Sequence, residues 1–484
     1  MSRDRFQGRT SMTLSILLMA VMPVFGQTEN PATATSTAAN QKDLSVTVYN
    51  SDLALVQDVR RVELPVGTVD LRFEDIAASI KPETVHIASQ TSPTGLDVLE
   101  QNYEYDLLSP AKLLQKYVGK QVTLIRREVR DQSTAEVPVK ATLLADNDSP
   151  VWQVGNQIIT GMGADRYVFP DLPKNLYSQP TLIWLLENRH SGYQTIEASY
   201  LAEKIQWVVD YVLNVTSDEK TGALNGWVTI NNNTGMAFRN ARLQLVAGQV
   251  HLAPPRPATV SRRMYEMAGA ARPPFAQEPI SEYHLYTLNR RTTIENNESK
   301  QISLLSAANI HIQKTFEVSG SGMYYRQVFR PSEPVRDPVQ VHLKFQNSKA
   351  NSLGIPLPEG TVRVYQADSR GQEQFIGEDS IGHTPKDEKL DLNIGNAFDV
   401  VEERKQTEYQ SLGPGASESA YQITLRNHKS ETITVEANEP LGGDWTMESA
   451  NFKYEKTSAF SVRFEVPVPA NGQAVLNYRV RVKW

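Results

Sequence analysis

Eight histidines stand at positions 86, 190, 251, 284, 311, 342, 383 and 428, and no two share the spacing that sets metal ligands on one helix or hairpin. His383, between Gly382 and Thr384-Pro385, is the most suggestive. With Glu378 and Asp379 nearby it could serve as a base or a ligand. The plainer reading is a turn residue whose ring bonds a backbone carbonyl, and that reading is favoured. Asp399, Glu402 and Glu403 could supply the paired carboxylates of glycoside hydrolysis. Arg404 and Lys405 follow directly, which favours a solvated ion-pair face. Trp445, after Gly442-Gly443-Asp444, could stack on a sugar ring; a sandwich more often uses tryptophan as core.

Other motifs fall short of their chemistry. Ser319-Gly320-Ser321-Gly322 lacks the Gly-x-Ser-x-Gly spacing of a nucleophile turn and reads as flexible. Thr160-Gly161-Met162-Gly163-Ala164-Asp165 lacks the third glycine and following helix of a dinucleotide site. Asp146-Asn147-Asp148-Ser149 opens like a calcium loop without the sixth-position glycine and distal glutamate, so it reads as an Asx turn. The expectation is a protein without cofactor or metal, and a binder sooner than an enzyme.

One stretch invites a partner. Residues 252–281 hold six prolines and no strand pattern, with Arg256, Arg262, Arg263 and Arg272 against Glu266 and Glu278. A long Pro/Arg-rich loop is either a disordered insertion, the favoured reading, or an arm for an anionic polymer or another protein.

The elements that would carry these residues are strands. Leu476 to Trp484 places an apolar side chain at every second position, the period of a strand with one buried face. Similar short runs recur from Leu44 onward. One helix is signalled by Ser109 as N-cap, Pro110 at the first position and Gly119 at its end. The expected fold is all-β. It comprises an N-terminal β region over 44–195, with a small barrel-like module at about 119–180, and a C-terminal β-sandwich region over 196–484. Residues 27–43 read as a flexible leader.

Arg3, Arg5 and Arg9, the apolar run Met12–Phe25 and Gly26 form the three parts of an export signal, with cleavage expected after residue 26. Met12 is an alternative start. The run is too short to span a bilayer of about 30 Å as a helix. There is no cysteine, which excludes disulfides, thiolate metal sites and lipoprotein attachment. Net charge is −6, without a dense basic block, which disfavours nucleic acid as the main ligand.

The stretch Leu353-Gly354-Ile355-Pro356-Leu357-Pro358-Glu359-Gly360 leads into Val362-Arg363-Val364-Tyr365, then Phe375–Asp379, His383–Lys386 and Ala397–Val401. With Asn427-His428-Lys429 and Gly443-Asp444-Trp445, these residues resemble the bacterial exported family called domain of unknown function 4139, shared by mucoidy inhibitor A-like proteins. The resemblance covers about 196–484 and includes His383; residues 44–180 look like what precedes the domain in single-chain members. It implies an extracytoplasmic β-sandwich, carries no catalytic residues over, and hints at envelope polysaccharide. The chain departs from those relatives in lacking their long coiled coil. The expectation is an exported, periplasmic or envelope-associated binding or structural protein, with an envelope protein or glycan as partner. A hydrolase acting on envelope polysaccharide or peptide, with its carboxylates near His383, is the alternative. An outer-membrane barrel is another, because its last strand would carry the same alternation.

Overall fold

The computed structural model describes residues 31–104, 108–130, 133–173, 176–177, 179–248, 250, 275–280, 283–329 and 334–484. The expected export signal and Arg256, Arg262, Arg263 and Arg272 lie outside them. Among the described residues the fold is all-β, with five sheets and one α-helix, and no helix is long and apolar enough to cross a membrane.

A four-stranded sheet runs β1 (Ala32–Ser36), β4 (Gly67–Phe73), β12 (Thr181–Asn188), β6 (Leu96–Glu104). A larger sheet runs β17 (Phe275–Ile280), β18 (Tyr283–Leu288), β16 (Phe238–Ala247), β2 (Gln41–Tyr49), β3 (Leu53–Leu64), β13 (Gly192–Glu203), β5 (His86–Ser89), with β19 (Thr292–Ile294) also on β16. The third runs β20 (Glu298–His311), β15 (Thr221–Asn232), β14 (Ile205–Val215), β23 (Gly360–Ala367), β24 (Glu373–Ile381). These three share one core that includes Trp184, Trp207, Tyr200 and Tyr211.

The C-terminal part is a nine-stranded sheet. Its order is β28 (Asp444–Ala450), β31 (Gly472–Lys483), β26 (Ala416–Asn427), β25 (Lys389–Gly413), β22 (Pro338–Gln346), β21 (Gln313–Ser319), β27 (Ile433–Pro440), β30 (Ser461–Val468), β29 (Tyr454–Ser458). It folds over its own core, which includes Phe464, Tyr478 and Tyr421. Its edge strands, β28 and β29, thereby approach each other: the Trp445 and Tyr454 rings are 6.2 Å apart.

One device recurs four times. A strand ends in a buried asparagine or is followed at once by one, the chain turns, and the next strand joins a different pairing. Thus β12 pairs β4 while β13 pairs β3; β15 pairs β20 while β16 pairs β19. Likewise β22 pairs β25 while β23 pairs β24, and β26 pairs β31 while β27 pairs β30. At each corner the asparagine amide donates to a carbonyl of the facing turn. The bonds are Asn188 to Pro65 (2.6 Å), Asn232 to Glu295 (3.0 Å), Asn347 to Pro385 (2.9 Å) and Asn427 to Pro469 (3.0 Å). Two residues past each acceptor the backbone is left-handed, at Gly67, Asn297, Asp387 and Asn471, residue types that tolerate that conformation. The asparagines are needed because a corner leaves strand-end carbonyls buried without ladder partners.

Several expectations need correction. The stretch expected as a flexible leader is ordered from Ala32. Arg60, fully buried, donates to the Ser36 carbonyl (3.0 Å) and to Asp58 (2.8 Å), and stacks on Phe73 at 3.6 Å. β1 is thereby fastened along β4 by a residue on β3. The expected boundary at 195/196 cuts through β13, whose alternation continues on both sides.

The expected barrel-like module is an open five-stranded sheet: β10 (Gln157–Thr160), β9 (Pro150–Val154), β8 (Ser133–Asp146), β7 (Gln121–Arg130), β11 (Arg166–Val168). With α1 (Pro110–Lys116) it is inserted between β6 and β12, which pair directly, and it has its own small core around Trp152 and Tyr117. Within 252–281, Phe275–Ile280 is a strand paired with β18, although Pro279 and Glu278 hide the alternation. No sheet among the described residues closes into a barrel, because each retains two edge strands.

Candidate functional site

His383 lies in the third corner, between the end of β24 and Pro385. Its Nδ1 accepts the Glu359 backbone N–H at 3.1 Å, and its Nε2 is 3.8 Å from the Glu359 carboxylate. The turn reading expected a ring bonded to a carbonyl; the ring accepts from an amide instead. Glu378 and Asp379 sit on β24 with other partners. Glu378 faces Arg363 at 3.3 Å, and Asp379 accepts the Asn393 and Ser380 N–H groups, each at 2.8 Å. All three side chains thus have local duties, and none of these bonds joins the histidine to either carboxylate.

The carboxylates of β25 are split by the strand period. Glu403 points outward to Arg426 (3.0 Å) and Arg336 (3.6 Å), and the positive charge holds its carboxyl below the usual range. Glu402 and Arg404 point inward and are fully buried, which corrects the expectation of a solvated ion-pair face. Inward positions of β25 run Val400, Glu402, Arg404 and Gln406, so one apolar residue gives way to three polar ones. Arg404 bonds Glu439 at 2.8 Å, and Glu439 accepts the Tyr325 hydroxyl (2.6 Å) and the Tyr478 hydroxyl (3.0 Å).

Glu402 lies 2.9 Å from Arg404, but the N–H is misaligned, and both its oxygens lack a hydrogen bond. Burial raises its pKa from 4.5 to about 7, against the pull of Arg404. With no exposed surface, this pair has no route to a polymer substrate. Gly320, expected to be a flexible turn, packs against this group: a Cβ there would overlap the Glu439 carboxylate.

Trp445 lies where the two edge strands of the folded-over sheet meet. Its indole N–H donates to the Ala459 carbonyl at 3.0 Å, Tyr454 meets it edge-on, and the Lys456 ammonium is 5.1 Å from its ring centre. Tyr454 is 46% exposed and Phe460 55% exposed. A surface groove of about 550 Å³ adjoins Tyr454, lined also by Glu448, Ser449, Asn451 and Lys453. Trp445 is half-buried, so it both packs on the core and borders this surface.

Another grouping is not visible in sequence. Glu317 on β21, His342 on β22 and Asp391 on β25 place one nitrogen and two oxygens within 4.8 Å of one another. Sequence spacing gave no signal, because the three meet only through strand register.

No protein-family model matches this chain, and no curated protein matches it.

Proposed function

We infer that this is an exported, non-catalytic β-sandwich protein of the bacterial cell envelope, akin to the domain of unknown function 4139 family, and that it binds envelope glycan. The observation that carries the reading is the exposed aromatic surface at the β28–β29 edge. Tyr454 exposes its ring against Trp445 and a groove with amide, hydroxyl, carboxylate and ammonium side chains, and Phe460, next in the chain to the Ala459 carbonyl that Trp445 bonds, is exposed as well. A sugar presents apolar ring faces and hydroxyls together, which is what such a surface matches. The basic-then-apolar N-terminus supports export.

The test is affinity electrophoresis through gels containing purified envelope polysaccharide, with wild type against the Tyr454→Ala, Phe460→Ala double variant. Retardation of wild type alone supports the reading. Equal mobility of both, with or without glycan, rejects it; capture of an envelope protein instead would make the partner a protein.

A further inference from the structure

We propose that Glu317, His342 and Asp391 form a site for one divalent transition-metal ion of the Zn2+ type, for which the Lys344 ammonium competes. β22 lies between β21 and β25. His342 is opposite Thr315 on one side and Asn393 on the other. Glu317 is opposite Gln340 and Asp391 opposite Lys344. Both carboxylates are therefore diagonal neighbours of the histidine on flanking strands, within reach of side chains this long.

The distances suit an ion. His342 Nδ1 is 2.7 Å from Asp391 Oδ1 and 4.0 Å from Glu317 Oε1. Tetrahedral ligands about 2.1 Å from a metal stand roughly 3.4 Å apart, so side-chain shifts under about 1 Å would seat one. The imidazole-plus-carboxylate donor set suits Zn2+ and its neighbours, whereas Mg2+ and Ca2+ require six or more oxygens. All three donors come from paired strands, which hold them more rigidly than loops would. Glu317 and His342 side chains are 12% and 14% exposed, while Asp391 is 50% exposed and leaves a path for the ion and a water ligand.

Lys344 stands in the same place. Its Nζ is 2.5 Å from Glu317, 3.1 Å from Glu436 and 3.9 Å from Asp391. Glu436 is a second seat for the ammonium, so Glu317 can turn to a metal without stranding the lysine. Three carboxylates here face this one lysine and Arg463, which lies 3.6 Å from Glu436 and is also engaged by Glu455. The group is short of positive charge, which a dication supplies.

The experiment titrates Zn2+ into the purified full chain by calorimetry, with Co2+ as a spectroscopic probe. Wild type is expected to bind one ion, to melt at a temperature that rises with Zn2+, and to give visible Co2+ bands. His342→Asn, which can still hydrogen-bond Asp391, should weaken binding at least about tenfold. Lys344→Met should tighten it about tenfold by removing the competing charge; tenfold corresponds to about 1.4 kcal/mol. Saturable binding absent from wild type, unchanged in His342→Asn, or not tightened in a folded Lys344→Met overturns the site. Should Lys344→Met fail to fold, the His342→Asn titration and the Co2+ spectrum decide.

Discussion

Asn188 and Asn427 hold the same place in two copies of one corner. Each ends a strand, each is buried, and each donates to a proline carbonyl, Pro65 or Pro469, two residues before a left-handed turn residue. Asn232 and Asn347 complete the set, with Glu295 standing where the other corners have proline. The first corner differs in chain order: β3 and β4 precede β12 and β13, whereas in the other three the asparagine hairpin comes first. One strand-crossing corner therefore recurs four times among the described residues, once in permuted order.

The corners should be energetically alike. Asn427 also donates to Glu431 O (2.8 Å) and accepts the Lys429 N–H (2.9 Å), so truncation leaves several buried backbone groups unpaired. Asn427→Ala is expected to cost about 3 kcal/mol by urea unfolding. Asn427→Asp should cost at least as much, because it sets oxygen against carbonyl oxygen. A loss below about 0.5 kcal/mol in both variants would show that the corner is not held by this side chain.

Arg60 should control the N-terminal strand. Arg60→Met removes the bond to the Ser36 carbonyl and leaves Asp58 buried without its cation, a loss of about 3 kcal/mol. Limited proteolysis is expected to cut the variant near 32–40 while sparing wild type. A variant with wild-type resistance there would mean that β1 is held by its ladder to β4 alone.

Gly320 should not accept a side chain. Its neighbour is a carboxylate already committed to Arg404 and two tyrosines, so it cannot swing aside cheaply. Gly320→Ala is expected to lower stability by about 2 kcal/mol, a typical overpacking cost, whereas Gly371→Ala, at a position open to space, should cost only its backbone strain. Thermal melts of the two variants give the comparison, and equal losses would count against packing at Glu439.

The alternation of short strands made the all-β class legible, and Ser109-Pro110 with Gly119 made the helix legible. The corners were not, since an asparagine ending a strand looks like any loop residue and its acceptor turn lies far away in sequence. β1 is not legible because Ala32-Thr33-Ala34-Thr35-Ser36 has no apolar alternation; it is placed by its ladder to β4 and by the Arg60 bond to Ser36. Glu402 and Arg404 were misread because charged residues at inward positions of a strand look like a wet face until partners such as Glu439, Tyr325 and Tyr478 are known. Glu317, His342 and Asp391 meet only through register, which composition and spacing do not encode.

Glu402 gives the fold a pH dependence whose sign follows from its burial. Its carboxyl titrates near 4.5 when unfolded and at about 7 when folded. The folded state therefore holds the proton more tightly. The resulting stabilisation is complete below about pH 4.5 and is lost as pH rises through about 7. The shift corresponds to about 3 kcal/mol between about pH 4 and pH 9. Glu403 and Glu418, held low by neighbouring arginines, act in the opposite direction and only in acid, so they leave the neutral window to Glu402. Glu402→Gln keeps the shape without the charge. Between about pH 4.5 and pH 7 wild type should lose stability relative to the variant, and the difference should level off above about pH 8. A difference independent of pH across that window would show that Glu402 remains ionised in the folded core throughout.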